Sequence, residues 1–179
     1  SLRVAVMAIA ISSIAGVLAG LVSGYFGGWV DAIISRIAEV ILALPGLLLA
    51  LLLVAYLGPS LTNAMFAISI TFIPAFARVV RANTFSIREM EYVSAARALG
   101  ASDIRIMLKA VLPNTLSPII VQISLLLSVA ILIEASLSFL GLGVQPPTPA
   151  WGSMAAESQQ FIDTAWWMAA FPGMTIFVT

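Results

Sequence analysis

Long apolar runs separated by short polar intervals dominate the hydropathy pattern of the chain. Crossing the ~30 Å hydrocarbon core of a membrane takes about 20 apolar residues in a helix, and five stretches meet or approach that length. The pattern therefore predicts an all-α membrane protein with five spans. The predicted spans are residues 4–24, 37–57, 61–80, 116–140 and a last one that begins near residue 165.

Composition supports this prediction and excludes several function classes. Hydrophobic residues make up 61% of the chain and charged residues only 9%, whereas an average soluble domain carries roughly a quarter charged residues. The apolar composition makes membrane lipid the expected surrounding. The net charge of zero provides no general attraction to nucleic acid. The chain contains no Cys, the residue that supplies thiolate metal ligands, and no His, the commonest general base. We therefore predict no catalytic residue and no metal site.

The distribution of basic residues predicts the orientation of the chain. In an alternating topology, seven of the eight basic residues fall on one side of the membrane, and Arg3 is the exception. Because cytoplasmic loops carry the excess of Lys and Arg, we predict a multi-pass plasma-membrane protein with its basic loops in the cytoplasm. Residues 81–114 are then a cytoplasmic loop and residues 141–165 an external loop.

Small residues recur at four-residue spacing in the first predicted span. Ser12, Gly16, Gly20 and Gly24 share one helix face, and such a face lets another backbone approach closely. Two interpretations remain open for this ladder: helix packing within the chain, or an interface with another subunit.

The predicted cytoplasmic loop contains two short helices that meet at Gly100. The first runs from about residue 88 to 99, with Glu89 and Glu91 in its first turn, where acidic side chains favour the helix dipole. A glycine commonly ends a helix, and Ser102 or Asp103 can begin the next one.

The second helix is predicted to continue to Leu112 and to stop at Pro113, with an apolar face opposite Arg105 and Lys109. The pair forms a compact knob that either inserts into a groove of another protein or lies against the chain's own cytoplasmic ends. The predicted apolar face consists of Ile104, Leu108, Val111 and Leu112.

This loop resembles the EAA loop of the permease subunits of bacterial ABC importers. That signature is Glu-Ala-Ala, Gly, an aliphatic residue and Leu-Pro at fixed spacing. The chain matches it with Ser94-Ala95-Ala96, Gly100, Ala110 and Leu112-Pro113. Ser94 replaces the acidic residue and Ala110 the usual isoleucine, while Glu91 supplies a carboxylate one turn earlier.

The resemblance extends over nearly the whole chain. Residues 24–31, 88–102 and 138–152 are similar to blocks found in the dipeptide, oligopeptide and nickel permeases, the last block in their C-type subunit. It implies a type I ABC importer permease fold, with five of six spans present in one transmembrane domain, residues 1–179. The chain starts at Ser1 and stops inside an apolar run, so we expect further sequence at both ends.

The resemblance also implies a function and a set of partners. The chain would form half of the pore of an importer of di- or oligopeptides. Its partners would be a second homologous permease, an external substrate-binding protein and two ABC ATPases that bind ATP and Mg²⁺ in its place. Nickel or another small solute remains an alternative substrate, and a stand-alone channel or secondary carrier is the alternative class. The implied ATPase-docking residues are Glu91, Ser94, Ala95, Ala96, Leu99, Gly100, Asp103 and Pro113.

Two further features of the sequence have open interpretations. Glu134 is the acidic residue deepest within a predicted span, and such groups usually face a cavity or a partner. It either lines the translocation path or anchors two helices by hydrogen bonds. In the external loop, Gln145, Pro146, Pro147 and Trp151 form an uncharged, proline-rich segment. This segment either contacts the binding protein or acts as an interfacial anchor.

Overall fold

A computed structural model of the chain describes residues 1–145 and 147–178. The described residues form helices joined by short turns. The α-helices are α1 (Leu2–Phe26), α2 (Gly28–Leu42), α3 (Gly46–Leu57), α4 (Leu61–Arg88), α5 (Glu91–Ala98), α6 (Asp103–Ile106), α7 (Leu112–Phe139), α8 (Trp151–Ser158) and α9 (Trp167–Val178), with a π-helical turn at Met107–Val111 and a 3₁₀ turn at Gln159–Phe161.

In the described part of the chain, three helical stretches are long and apolar enough to cross a membrane: Leu2–Phe26, Leu61–Arg88 and Asp103–Phe139. Helices α2 and α3 pass the same test only together, and they bend by 86° at their junction. The predicted second span, 37–57, is therefore not one straight helix. Pro45 explains the break, because it lacks an N–H donor and disfavours helical geometry in the residue before it. Helix α9 is a shorter apolar helix of 12 residues.

Helix α4 continues past the predicted end of the third span at residue 80. It runs to Arg88, so residues 81–88, which were predicted as loop, are helical. Thr84 and Ile87 are buried on this extension, and their packing continues the helix where polarity alone predicted an exit. The next helix consequently begins at Glu91 rather than at residue 88, and Glu89 lies outside its first turn.

Pro113 does not stop the second loop helix, contrary to the prediction. Helix α6, the π-helical turn and α7 form one continuous helical stretch from Asp103 to Phe139. The π-helical turn at Met107–Val111 directly precedes Pro113. In a regular α-helix, a backbone carbonyl of this turn would clash with the ring of Pro113. The wider turn explains how the helix passes through the proline.

The predicted external loop 141–165 contains a helix that was not predicted from the sequence. Helix α8 begins at Trp151, and Gly152 is buried against α7. A Cβ at Gly152 would lie 2.9 Å from the backbone nitrogen of Phe139. Only a residue without a side chain permits this approach, so packing rather than helix propensity fixes α8.

Contacts divide the chain into two compact units. The first contains Ser1–Ile11, Leu44–Thr71 and Leu125–Thr179, and the second contains Ser12–Ala43 and Phe72–Ser124. The second unit has its own hydrophobic core, to which both the spans and the loop helices contribute. Its buried members are Leu21, Tyr25, Val80, Ile87, Val93, Ile106, Val111 and Ile119.

The small-residue ladder of α1 packs against α4 inside the second unit. A Cβ at Gly16 would lie 2.5 Å from the Phe76 Cβ, and one at Gly20 would lie 2.6 Å from the carbonyl oxygen of Ala77. Gly24 approaches Thr84 in the same way, at 2.7 Å, and Ser12 is fully buried. The glycine face is thus occupied by the chain's own helix, as the first of the two interpretations requires.

Candidate functional site

The loop helices of the second unit form a knob, defined here as residues 91–112. Helix α5 ends in a Schellman motif at Gly100, whose φ is +81°. The Ala101 N–H donates to the Ala96 carbonyl at 3.1 Å and the Gly100 N–H donates to the Arg97 carbonyl at 3.0 Å. These two bonds satisfy carbonyls that the helix end would otherwise leave open. The predicted junction at Gly100 is confirmed.

One side of the knob belongs to the core of the second unit. Val93, Ile106 and Val111 are buried, and Ala96 and Met107 pack against the same cluster. The predicted apolar face of the second helix was therefore wrong, because Val111 is buried while Ile104 and Leu108 are exposed. A π-helical turn adds a residue to the helical repeat, which changes the face on which later residues lie.

The opposite side of the knob exposes large apolar side chains. Leu99 is 89% exposed, Ile104 66% and Leu108 51%. Arg105 and Lys109 are exposed beside them. An apolar surface rimmed by charged residues is the usual form of an interaction site.

The predicted docking residues are largely exposed. Ala96 is the exception, since it is half-buried against the core cluster. Their role in docking stays a prediction. The exposed members are Glu91, Ser94, Ala95, Leu99, Gly100, Asp103 and Pro113.

Tyr25, at the end of α1, holds the two helices of the knob together. Its hydroxyl donates to Asp103 Oδ1 at 2.7 Å and accepts a bond from Arg97 Nη2 at 3.2 Å. The Arg97 guanidinium also lies 5.8 Å from the centre of the Tyr25 ring. The hydrogen bond to the Tyr25 hydroxyl raises the pKa of Arg97 further above its usual value, so this arginine stays charged. One side chain of α1 thus contacts both α5 and α6.

Arg88, at the end of α4, makes a second connection to α1. Its Nη1 donates to the carbonyl oxygens of Gly24 at 3.0 Å and Tyr25 at 3.3 Å. These are carbonyls in the last turn of α1, where a cation is favourably placed against the helix dipole. The ends of α1 and α4 are therefore bonded beside the knob.

An ion pair between α2 and α4 completes the polar framework. Arg81 donates from Nη2 to Asp31 Oδ2 at 2.6 Å and from Nε to Oδ1. Ser23 and Ser35 also donate to Asp31 Oδ1, the latter at 3.2 Å. A bidentate guanidinium–carboxylate pair with additional donors is the geometry in which a partly buried pair is well compensated.

A polar cleft of about 380 Å³ opens beside Ser94. It is lined by Tyr25, Arg88, Glu89, Ser94 and Arg97. Ser94 stands at the position where the EAA signature has a carboxylate. Its substitution leaves the cleft with two guanidinium groups and one exposed acid.

The polar framework was not predicted from the sequence. Asp31 and Arg81 carried a usable signal, since charges near the ends of membrane spans commonly pair with one another. Tyr25 carried none beyond its place in a block similar to other permeases, because nothing in its local pattern indicates a partner 78 residues away.

Glu134 lies in the first unit and is fully buried. Ser138 Oγ, one turn along α7, donates to Glu134 Oε1 at 2.8 Å. The other carboxylate oxygen has no hydrogen-bond partner among the described residues. The hydrogen bond that the anchor interpretation expected between two helices is therefore replaced by a bond within one helix.

The proline-rich segment precedes α8. The side-chain amide of Gln145 donates to the carbonyl oxygens of Gly141 at 3.0 Å and Gly143 at 3.1 Å, so it closes the turn after α7. Pro147 is exposed and Trp151 half-buried at the start of α8, while Pro146 lies outside the described residues. Contact with a binding protein stays a prediction.

Comparison with known proteins identifies the family of the chain. Residues 16–179 match the family described as binding-protein-dependent transport system inner membrane component. The chain is 48% identical over 178 residues to the dipeptide transport system permease protein DppC of Alkalihalophilus pseudofirmus, covering 99% of this chain and 59% of that protein.

Two further relatives agree with this match. The di/tripeptide transport system permease protein DppC of Pseudomonas aeruginosa is 45% identical, and the glutathione transport system permease protein GsiD of Pectobacterium atrosepticum is 42% identical. Both alignments cover 100% of this chain and 59% or 60% of the relative, so the chain spans about three fifths of their length. With its all-helical fold and long apolar helices, the chain is a multi-pass protein of the inner membrane that belongs to the binding-protein-dependent transport system permease family.

Proposed function

We propose that this chain is a pore-forming subunit of an ATP-driven importer of di- and oligopeptides. Membership of the permease family supports the transport class. The names of the relatives support the substrate class, since they specify dipeptide, di/tripeptide and glutathione transport. The sequence, which has 9% charged residues and no His or Cys, suits a conduit better than a catalyst.

The observation that carries the coupling mechanism is the exposed apolar surface of the knob. Leu99, Ile104 and Leu108 remain exposed, although the other side of the knob packs against the core cluster and is held by hydrogen bonds. Exposing such side chains to water is unfavourable, and helices of this kind insert into grooves of partner proteins. We assign this surface to a separate ATPase subunit, which supplies the bound ATP and Mg²⁺.

Two connections in the second unit would transmit movement of the knob to the spans. The first is the set of hydrogen bonds from Tyr25 to Asp103 and Arg97, together with those from Arg88 to the end of α1. The second is the helix that continues through Pro113 into α7. Closure of an ATPase dimer would thereby move α1 and α7 and alternate the access of the pore.

The proposal includes the remaining components of the transporter. The knob lies in the cytoplasm, as the excess of basic residues around it indicates. A second permease subunit supplies the other half of the pore, and an external binding protein delivers the peptide near the segment that contains Gln145 and Trp151. ATP hydrolysis takes place in the ATPase subunits and not in this chain.

Co-purification of the ATPase subunit with the permease tests the proposal. Replacing Leu99 by Asp places a charge at the most exposed apolar position of the knob. Because removal of a central contact residue commonly costs about 2 kcal/mol of binding, we expect the ATPase to bind about 30-fold more weakly. Retention of the tagged ATPase on the solubilised permease, measured as a function of its concentration, gives this ratio.

Two controls make the result specific. Leu99→Met keeps an apolar side chain and should retain the ATPase. Ile162→Asp changes a residue that is also apolar and exposed, at 54%, but lies outside the knob, and should have no effect on binding. Equal ATPase binding by Leu99→Asp and the unmodified chain would exclude the knob as the docking site.

A further inference from the structure

A groove in the second unit combines a basic end with an apolar floor. Two adjoining cavities of about 120 Å³ and 170 Å³ lie between α1, α2 and α4. They share four lining residues, Ile34, Ala38, Pro74 and Ala77. The two cavities therefore form one groove whose ends differ in chemistry.

The basic end carries one uncompensated positive charge. It is lined by Arg78, Arg81 and Glu39 together with two serines. Arg81 is neutralised by its bidentate pair with Asp31, and Glu39 is paired with Arg36 at 3.0 Å. Arg78 has no hydrogen-bond or ion-pair partner among the described residues, so the end of the groove presents a free guanidinium.

The other end of the groove is almost entirely aliphatic. Ile37, Ile41 and Ile73 join the shared residues there, and Ala19 closes the side on α1. The residues of this end carry no charged group and no side-chain hydroxyl. It suits a hydrocarbon chain and offers nothing to a polar solute.

The position of Arg78 along α4 places the basic end at a membrane boundary. Arg78 is 17 residues beyond Leu61, the first residue of α4, which corresponds to about 26 Å at the α-helical rise. A hydrocarbon core is ~30 Å thick. When α4 spans the membrane from its first residue, Arg78 is therefore within about 4 Å of the lipid headgroups, a distance that its long side chain can reach.

We propose that this groove binds an anionic phospholipid. Its phosphate pairs with Arg78, for which planar guanidinium and phosphate geometry is well matched, and one acyl chain lies along Ile34, Ile37 and Ile73. The charge, the aliphatic floor and the depth each favour this occupant over a peptide, whose polar backbone would be unpaired in the aliphatic end.

Lipid retention by the assembled transporter tests the proposal. The purified complex is exchanged into vesicles or micelles that contain phosphatidylglycerol or phosphatidylcholine with identical acyl chains, and retained lipid is counted by native mass spectrometry. We expect phosphatidylglycerol to be retained about fivefold more strongly, as for one basic residue near a headgroup. Arg78→Gln should remove that preference, and Arg78→Lys should restore most of it.

Matched variants separate this site from general attraction to the basic surface. Arg105→Gln removes an exposed charge from the knob and should leave lipid retention unchanged. Ala38→Leu adds bulk where the two cavities meet and should lower retention without changing charge. Free glycerophosphoglycerol, which has the headgroup without the chains, should not displace the lipid.

Three results would overturn the proposal: an unchanged lipid preference in Arg78→Gln, equal retention of the two lipids by the unmodified complex, or displacement by the free headgroup. The first would also result if another subunit fills the groove in the assembled transporter. The measurement requires neither ATP nor peptide. Its failure therefore leaves the proposed transport function intact, and loss of ATPase docking leaves the lipid site intact.

Discussion

The knob and the region around Glu134 hold their polar groups in opposite ways. Tyr25 of α1 bonds to Arg97 and Asp103, which lie on two different helices of the knob and stay exposed. Glu134 is fully buried and bonds to Ser138 on its own helix. Hydrogen bonds between helices orient the knob, whereas close packing determines the structure around Glu134.

The close packing of the Glu134 region depends on glycines at which there is no room for a side chain. Gly152 brings α8 onto the backbone of Ala135 and Phe139, and Gly143 lies equally close to Ser138. Such contacts tolerate no added atoms, because interiors are already at crystal-like density. We therefore expect changes of side-chain volume to be most damaging in the Glu134 region, and changes of single polar atoms to alter the function of the knob.

The largest effect is expected for Gly152→Val. Its Cβ alone would lie 2.9 Å from the Phe139 nitrogen and closer still to the Ala135 carbonyl oxygen, so α8 must separate from α7. Overpacking of this kind costs about 1–3 kcal/mol and occasionally more. We expect a lower thermal unfolding midpoint in detergent, accompanied by loss of monodisperse protein.

Gly46→Ala is the matched control for that variant. A Cβ at Gly46 would lie 3.9 Å from the Thr71 Cβ, an ordinary contact in the same unit. Alanine is also the better helix former, so the unfolding midpoint should stay level or rise. Similar destabilisation by the two variants would show that glycine matters there for reasons other than close packing.

Gly100→Val should have the next largest effect, and it acts through backbone strain rather than collision. No atom lies within 4 Å of a Cβ added at Gly100, but its φ is +81°. A left-handed residue with a Cβ costs about 1–2 kcal/mol, and the Schellman turn that sets the angle between α5 and α6 would open. We expect less peptide transported per ATP hydrolysed in proteoliposomes.

Gly100→Asn distinguishes strain from loss of glycine as such. Asparagine enters the left-handed region more readily than valine, so its transport-to-ATP ratio should lie close to that of the unmodified chain. An unchanged ratio in Gly100→Val would show that the angle between α5 and α6 does not control coupling.

Tyr25→Phe should have a smaller effect on stability but a specific one on coupling. The substitution keeps the ring in the core cluster and removes the hydroxyl that bonds to Asp103 and Arg97. A hydrogen bond contributes about 1 kcal/mol, so the unfolding midpoint should fall slightly. ATP hydrolysis should continue while peptide uptake falls, because the knob is then less firmly joined to α1.

Tyr92→Phe is the control, since Tyr92 is partly exposed and, among the described residues, its hydroxyl accepts only a 3.2 Å bond from Asn114. Its transport-to-ATP ratio should not change. Parallel loss of uptake and hydrolysis in Tyr25→Phe would instead indicate a purely structural role for the hydroxyl.

Much of the fold follows from local pattern. Hydropathy located the three helical stretches of the described chain that are long and apolar enough to cross a membrane, because a helix in lipid must satisfy every backbone group within itself. Gly100 was predictable as a helix end, because glycine readily adopts the left-handed conformation in which helices commonly end. Helix α8 was not predictable, because it is held by contact between Gly152 and α7 rather than by its own composition.

The loop helices were predicted at the right place in the chain, but the side of the knob that is exposed was not. The signature located residues 91–113, yet the π-helical turn moved Val111 to the buried side and left Ile104 and Leu108 exposed. Residues share a face at α-helical spacing only in an unbroken α-helix, so the spacing of the apolar residues could not predict that change. Bonds such as that between Tyr25 and Asp103 join residues far apart in the chain and have no local signal.

The smallest effect is expected for Glu134→Gln, which tests whether the buried acid belongs to the path or only to the packing. Glutamine has nearly the same shape and keeps an oxygen that can accept the bond from Ser138. Since the second carboxylate oxygen already lacks a partner among the described residues, we expect stability to change by less than about 1 kcal/mol and peptide uptake to continue with unchanged selectivity. Competition between peptides of different charge, measured in the same proteoliposomes as Tyr25→Phe, gives that selectivity. A shifted preference in Glu134→Gln with an unchanged unfolding midpoint would place the carboxylate in the translocation path. A group that contributes only to packing has no contact with the substrate through which to discriminate.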